Sequence, residues 1–490
     1  MERNLDTELL ILGGGAAGTA AAISAAEAGV KDILLLEKGA SIGGAANAAL
    51  GFYAIDSVLQ KAEGIECDAA YEFQDIMHST CYLANGPLLK LFLDNCGQTA
   101  EWLIGHGLDV VLSPEVQQFG HYPSGRVYHR WDHLPKRFVH LREIMEREGV
   151  RILTRCSATG LLQDDSGAVI GARAKDAEGN DLTIHAKAVL ITTGGYAGNH
   201  EMVREALSDL LDYEPLHFSS MSTGDGLQMA WQAGAAKASE RSMVCHGVMP
   251  GESFPPKFTH TDQAIMNIPI LWVNRCGERF INEEILFDSQ FFGNACLTQG
   301  GIVYAVFDQA SLEEWKQRTI PYEMNIWDRL GENGTHFPAA VKDFDREFAY
   351  LQSTNSGFTA ETPDGLADLL GWDRAVFRNT LDRYNAACDR GYDDQFYKSA
   401  RYLRYPVRTG PFYALCGRSA IMATVGGVRV DSMLRALTPE YRVIPHLYVA
   451  GADAGGIYQG HSYLPKEGFA LGWALTTGRI AGEMIAHSLQ

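Results

Sequence analysis

Glu8-Leu9-Leu10-Ile11-Leu12-Gly13-Gly14-Gly15-Ala16-Ala17-Gly18 reads as a buried parallel strand that runs straight into a Gly-x-Gly-x-x-Gly turn, with an alanine-rich helix following from about Ala16 to Ala28. Each glycine has its own task. Gly13 permits the tight turn and Gly15 lets backbone amides approach a pyrophosphate. Gly18 lets the helix pack on the strand while the positive end of its dipole, at Ala16 and Ala17, faces the phosphates. A second strand, Ile33 to Leu36, ends at Glu37, nineteen residues past Gly18. A carboxylate there accepts hydrogen bonds from ribose hydroxyls. Strand, glycines, helix, strand and acid in this order predict a dinucleotide-binding α/β unit.

The 490 residues carry 41 Lys+Arg against 60 Asp+Glu, a formal net charge of −19. A surface that acidic repels phosphate backbones, so no nucleic-acid partner is expected. The length exceeds what one hydrophobic core usually supports, so two or more domains are expected. The apolar stretch 9–30 follows Glu2, Asp6 and Glu8 and is broken by glycines, unlike a signal segment. No window reaches the roughly 18 uninterrupted apolar residues of a spanning helix. The expectation is a soluble, cytoplasmic protein with no membrane partner. Nine scattered cysteines without a C-x-x-C spacing point to reduced structural thiols and exclude iron–sulfur and attached-haem patterns. A redox enzyme of this kind takes its electrons from a separate donor.

The segment after the second strand, Glu37-Lys38-x-x-x-x-Gly43-Gly44 followed by Asn47, Leu50 and Gly51, separates flavin from nicotinamide. It resembles the FAD-binding flavoproteins of the fumarate reductase and succinate dehydrogenase superfamily, which includes 3-ketosteroid dehydrogenases. That resemblance implies that Gly43 and Gly44 lie along the ribityl chain and isoalloxazine. It continues in order along nearly the whole chain. Ser157, Ala158 and Thr159 stand where the family touches adenine. Val189 to Gly195, with Thr193, Gly194 and Gly195, resembles the strand and turn that return to the cofactor. Thr223-Gly224-Asp225-Gly226 resembles a second hallmark, in which Asp225 caps the following helix and Met229 and Ala230 pack its inner face.

Leu271 to Glu283 resembles the substrate-domain hairpin. Leu447 to Asp453, with Gly451, resembles the return to the flavin, and Asp453 is expected on a ribityl hydroxyl. Gly468, Ala470 and Leu471 open a closing helix whose amides would face the flavin N1/O2 edge. The fold implied is α/β, a Rossmann-like FAD-binding domain (1–246 and 423–490) interrupted by an α+β capping domain (247–422). Within the insertion, Gly331 to Thr335 and the Pro363-Asp364-Gly365 stretch read as loops, and Asp373 to Cys388 as an amphipathic helix.

In fumarate reductase relatives, hydride passes from flavin N5 to an alkene while an arginine protonates the other carbon; two histidines and a second arginine hold the carboxylates. His246 matches the first histidine. No arginine stands in Glu284 to Asp288, Ala423 stands in place of the second histidine, and 458–468 lacks the second arginine. Buried carboxylates need paired charges, so a small dicarboxylate is a poor substrate. The expected reaction is reduction of an activated C=C bond in an apolar cyclic or aromatic compound, of steroid, isoflavonoid or cinnamate type. The alternatives are a ketosteroid-dehydrogenase-like flavin dehydrogenase or oxidase, or an FAD electron-relay subunit.

Candidate acids and anchors are Tyr463, Lys466, His246 and His461, with His121, Tyr122, Tyr128 and His129 behind them. Arg279 reads as ordering the hairpin through carboxylates, and Cys245 as a packing residue. Ala45 occupies the place of a flavin-linking histidine, so noncovalent FAD is expected. No second Gly-x-Gly-x-x-Gly follows a strand, which leaves a separate donor: NAD(P)H, reduced flavin or a redox protein.

Overall fold

The apolar run Leu9–Leu12 is wholly buried because its strand, Arg3–Leu12, lies inside a parallel sheet covered on both faces. The computed structural model describes residues 3–112, 126–131, 136–217, 219, 221–238, 243–251, 265–266, 268–318, 341, 343–457 and 466–490. In it, Arg3–Leu12 pairs in parallel with Ile33–Glu37 on one side and Asp181–Ile191 on the other. Arg151–Thr154 extends the sheet beyond Ile33–Glu37, and Val443–Val449 extends it beyond Asp181–Ile191. Residues 3–191 and 435–449 thus share one sheet although more than 240 residues separate the two segments in sequence.

Helix Ala16–Glu27 is buried from Ala16 to Ala25, apolar on all sides because it lies between this sheet and the closing helix Phe469–Leu489. Glycines set the spacing of the two helices. A Cβ on Gly478 would stand 2.2 Å from the Ala17 carbonyl oxygen, and one on Gly482 would stand 2.2 Å from Ser24 Oγ. Ser24 Oγ donates to the Arg479 carbonyl at 2.7 Å.

A second, mainly antiparallel sheet is organised by the long strand Phe412–Thr424. It pairs with Met243–Pro250, Ile302–Asp308, Gly357–Ala360 and, in parallel, Leu216–His217. The boundaries expected at 246/247 and 422/423 therefore fall inside two strands, Met243–Pro250 and Phe412–Thr424. An aromatic core of Trp272, Phe307, Trp315 and Tyr413 backs this sheet.

Its hairpin is fixed by a buried ion network. Arg279 donates from Nε and Nη2 to Glu283 at 2.7 and 2.8 Å, and from Nη1 and Nη2 to Asp393 at 2.9 and 2.8 Å; Lys398 Nζ lies 3.2 Å from Glu283. Two cations face two carboxylates, and removal of one partner would strand a buried charge at a cost of about 3–5 kcal/mol.

The Pro363-Asp364-Gly365 stretch forms helix Pro363–Leu370 instead of the expected loop. Thr362 caps it by accepting from the Gly365 amide, and proline at the first position lacks only an N–H that no helical partner would take. The Asp373 to Cys388 expectation corresponds to helix Arg374–Arg390, with Asp373 as its cap. Gly331 to Thr335 lies outside the described residues.

His129, in strand Tyr128–Trp131, is fully buried beneath Phe52. Its Nε2 lies 2.7 Å from Ser57 Oγ and its Nδ1 lies 3.1 Å from the Val127 carbonyl. The carbonyl accepts only, so Nδ1 carries the hydrogen and Nε2 accepts from Ser57. Burial lowers its pKa to about 4. The neutral ring therefore favours the folded state fully above the ordinary histidine value of about 6.5, and this stability is lost as pH falls toward about 4. Melting temperatures at pH 7.5 and 5 are expected to differ less in His129→Asn than in the parent, by an amount equivalent to roughly 1–3 kcal/mol.

Candidate active site

The end of Arg3–Leu12 opens into a cavity of roughly 1290 Å³, open solvent at its mouth included. Gly13 reaches it with φ +110°, a value closed to most side chains, and a Cβ there would meet the Thr192 carbonyl at 2.4 Å. Gly15 differs. It lines the cavity, its backbone is extended, and a Cβ on it would find no protein atom within 4 Å. Nothing in the chain demands glycine at position 15, so the demand comes from whatever fills the cavity. Gly18 does not reach the cavity and serves packing: its Cβ would stand 1.9 Å from the Gly13 oxygen.

Glu37 lines the cavity with its carboxylate held by the amides of Gly14 at 2.9 Å and Gly39 at 2.6 Å, which leaves lone pairs for hydroxyl donors. Lys38 also lines it, with Nζ 2.7 Å from Asp225 and 2.5 Å from Thr223 Oγ1. Asp225 accepts from Thr223 as well, and helix Asp225–Gln232 is preceded by a left-handed Gly224. The expected capping role of Asp225 is therefore corrected: no side-chain cap is made, because the carboxylate is drawn to Lys38.

Gly43 and Gly44 line the cavity and lead into the short turn Gly44–Ala48. The Gly43 amide donates to the Gly14 carbonyl at 2.8 Å, which joins the two glycine turns. Ala158 from strand Ser157–Gln163, Thr193 and Gly194 after Asp181–Ile191, and Ala16, Ala17, Ala470 and Leu471 from the two packed helices complete the set of expected residues on the wall.

Asn47, Leu50, Gly51, Gly195, Gly451, Asp453 and Gly468 do not line it. Asp453 is fully buried, accepting from Thr193 Oγ1 and the amides of Gly194 and Gly195 at 2.8–3.1 Å. Burial raises its pKa, and these donors offset the rise only in part. Its carboxylate thereby brackets the turn 193–195. Gly195 packs against Thr424, and Gly451 packs against Ala17. Gly468 packs on the backbone of Phe52 and Tyr53 and begins the closing helix in the left-handed region at φ +72°. Asn47 folds back to donate to the Ile42 carbonyl. Gly51 pairs in register with Arg130, and Leu50 packs against the aromatic core.

Among the catalytic candidates, His461, Tyr463, His121 and Tyr122 lie outside the described residues, as does the side chain of His246. Lys466 is 8% exposed and sits 2.9 Å from both Glu72 and Asp75, while Tyr53 donates to Glu72 at 2.8 Å. Burial works against the ammonium, yet the two carboxylates prevail and raise its pKa above the ordinary lysine value. A proton held that firmly is poorly released, so the structure gives Lys466 the role of fixing the chain just before the closing helix. Tyr128 and His129 are buried in their strand away from the cavity wall. Cys245 is buried with its thiol pushed up to about 11 by burial, as suits a packing residue.

Nothing in the sequence marked Arg137. It is 4% exposed and donates from Nη2 to the carbonyls of Asn47 at 2.7 Å and Ala49 at 3.1 Å, and to that of Ala46, which clamps the turn on the cavity wall. No motif surrounds it. Glu72 and Asp75 lie on helix Ala69–Ser79 and were equally unmarked.

The FAD binding domain family matches residues 8–468. The chain belongs to this family of flavoproteins. It is similar to the vinyl phenol reductase of Lactiplantibacillus plantarum, with 32% identity over 98% of this chain and 96% of that protein. It is also similar to a fumarate reductase (cytochrome) of Shewanella frigidimarina, with 28% identity over 98% of this chain and 77% of the relative. The crystal structure of the 3-ketosteroid delta1-dehydrogenase of Sterolibacterium denitrificans shares the fold at TM-score 0.74 and 19% identity, over 99% of this chain and 100% of that one. The protein is an FAD-dependent oxidoreductase of the fumarate reductase type, and its open glycine cradle fits the cofactor. Among the described residues no helix is long and apolar enough to cross a membrane.

A side chain at position 15 is expected to cost flavin and spare the fold. Gly15→Val should retain the parent's circular dichroism while bound flavin falls at least about tenfold, a loss of about 1.4 kcal/mol. Gly18→Val should instead lower the melting temperature. Equal flavin content in Gly15→Val and the parent would refute the cradle.

Proposed function

We propose that this protein reduces an activated C=C bond in a neutral aromatic or cyclic substrate, with FAD held noncovalently. One observation carries the reading. Among the described residues, the cavity wall holds no arginine or histidine, and its one lysine, Lys38, is paired with Asp225. Beyond the nucleotide end the wall is apolar: Met229, Val244, Met422, Ala423, Val425 and Leu471. A dicarboxylate would leave its charges unpaired there. The relative named a vinyl phenol reductase, matched across nearly its whole length, supports the same substrate class.

The chemistry that bound FAD supplies is hydride transfer from its reduced N5. The chain supplies the apolar wall, the exclusion of water and the proton. Lys466 is committed to Glu72 and Asp75, so the proton donor is sought in Tyr463, with His246 and His461 as substrate anchors. Ala45 lies on the cavity wall and offers no atom for a covalent link to flavin.

The test is anaerobic. Dithionite-reduced holoenzyme is mixed with a vinyl phenol, cinnamates, an unsaturated ketosteroid, urocanate and fumarate, and flavin absorbance is followed. A neutral aromatic alkene should reoxidise the flavin at least tenfold faster than fumarate, and Tyr463→Phe should slow that step by about 10²-fold or more. Preferential reoxidation by fumarate would overturn the reading; silence across the panel would favour an electron-relay subunit. Acid precipitation should release the flavin into the supernatant, whereas flavin remaining with the pellet would show a covalent link.

A further inference from the structure

Outside the residues that line the flavin cavity, His200, Glu214 and His217 each offer one ligand atom, and these atoms lie within 4.8 Å of one another. His200 opens the short helix His200–Ala206, and His217 lies on strand Leu216–His217. The two imidazoles stack with centroids 3.8 Å apart.

The hydrogen bonds settle which atoms are available. His217 Nδ1 lies 2.6 Å from the Ala197 carbonyl, which can only accept, so Nδ1 carries the hydrogen and Nε2 keeps its lone pair. The His217 side chain is 8% exposed, and its Nε2 is buried without a hydrogen bond, 3.4 Å from Glu214 Oε1. Glu214 Oε2 accepts from Arg204 at 2.9 Å, which leaves Oε1 toward both rings; Oε1 accepts from His200 Nδ1, whose hydrogen a bound metal ion would displace.

We propose that His200, Glu214 and His217 form a binding site for a divalent transition ion of the zinc type, with the fourth position open to water. Two imidazole nitrogens and one carboxylate oxygen suit zinc, which binds each at about 2.0–2.2 Å. They suit magnesium and calcium poorly, since those ions take oxygen ligands. The outer contacts of a metal site are already in place: a carbonyl on the far nitrogen of His217, and an arginine on the second oxygen of Glu214.

The ion would act as a clamp. Ala197 follows the turn 193–195 that borders the cavity, and Leu216–His217 pairs with Ala420 and Ile421, just before Met422 and Ala423 on the cavity wall. The site thereby joins the turn after Asp181–Ile191 to the second sheet.

Untagged, EDTA-treated holoenzyme is titrated with ZnCl₂ by calorimetry. One Zn²⁺ per chain is expected, and it should be lost in the surface variants His200→Ala and Glu214→Gln, whose flavin content and circular dichroism match the parent. Zn²⁺ should raise the melting temperature of the parent and leave that of both variants unmoved. Excess Mg²⁺ should not displace it. Absence of binding to the parent, or unchanged stoichiometry in both variants, would overturn the assignment.

Discussion

The closest approach in the molecule that matters for the rest is that of Gly18 to Gly13. A Cβ on Gly18 would stand 1.9 Å from the Gly13 oxygen and 2.8 Å from Thr192 Oγ1. Thr192 Oγ1 in turn donates to the carbonyls of Leu12 and Gly13 at 3.1 and 2.8 Å. Helix Ala16–Glu27 can therefore sit flush on the end of its strand, and only at that depth do Gly478 and Gly482 bring the closing helix against its other side. Segments around positions 13, 193, 453 and 470 meet there because small residues let them. The cavity is what remains between backbones that cannot come closer.

This explains what could be read from the sequence. The glycine turn, Glu37 and the closing helix were legible because backbone geometry ties residue type to position: φ +110° at Gly13 and +72° at Gly468 exclude most side chains. Side-chain partners were less legible. Asp453 and Asp225 were recognised as belonging to the site, but their partners within the protein were not foreseen. The structure satisfies the first with Thr193, Gly194 and Gly195, and the second with Lys38 and Thr223. Apart from Thr223, two residues from Asp225, those partners lie 187 to 260 positions away, and no local pattern records them. Arg137 shows the same limit, since a guanidinium that binds backbone carbonyls asks nothing of the sequence it clamps. Helix Pro363–Leu370 was misread for a local reason: Pro-Asp-Gly signals a turn unless a cap such as Thr362 precedes it.

The cations near the site follow one rule. Lys38 answers Asp225, Lys466 answers Glu72 and Asp75, Arg279 answers Glu283 and Asp393, and Arg137 is spent on carbonyls. Each is at least partly buried, where leaving a charge without a partner would cost more than a salt bridge returns. The effect is to fix loops and helices in place while presenting no free positive charge to the cavity wall among the described residues.

That arrangement bears on how a flavoenzyme can stabilise negative charge on its cofactor without also attracting a carboxylate. Ala470 and Leu471 place the first turn of the closing helix on the cavity wall, and the helix runs for 21 residues behind them. Its N-terminus contributes roughly half an elementary positive charge, spread over backbone amides. Such a charge is fixed in direction and cannot swing out to clamp a ligand as an arginine fork does. In the proposed reading, the helix serves the reduced flavin and the wall serves a neutral substrate. A cavity wall that holds no arginine among the described residues then changes what is bound without dismantling what drives the hydride.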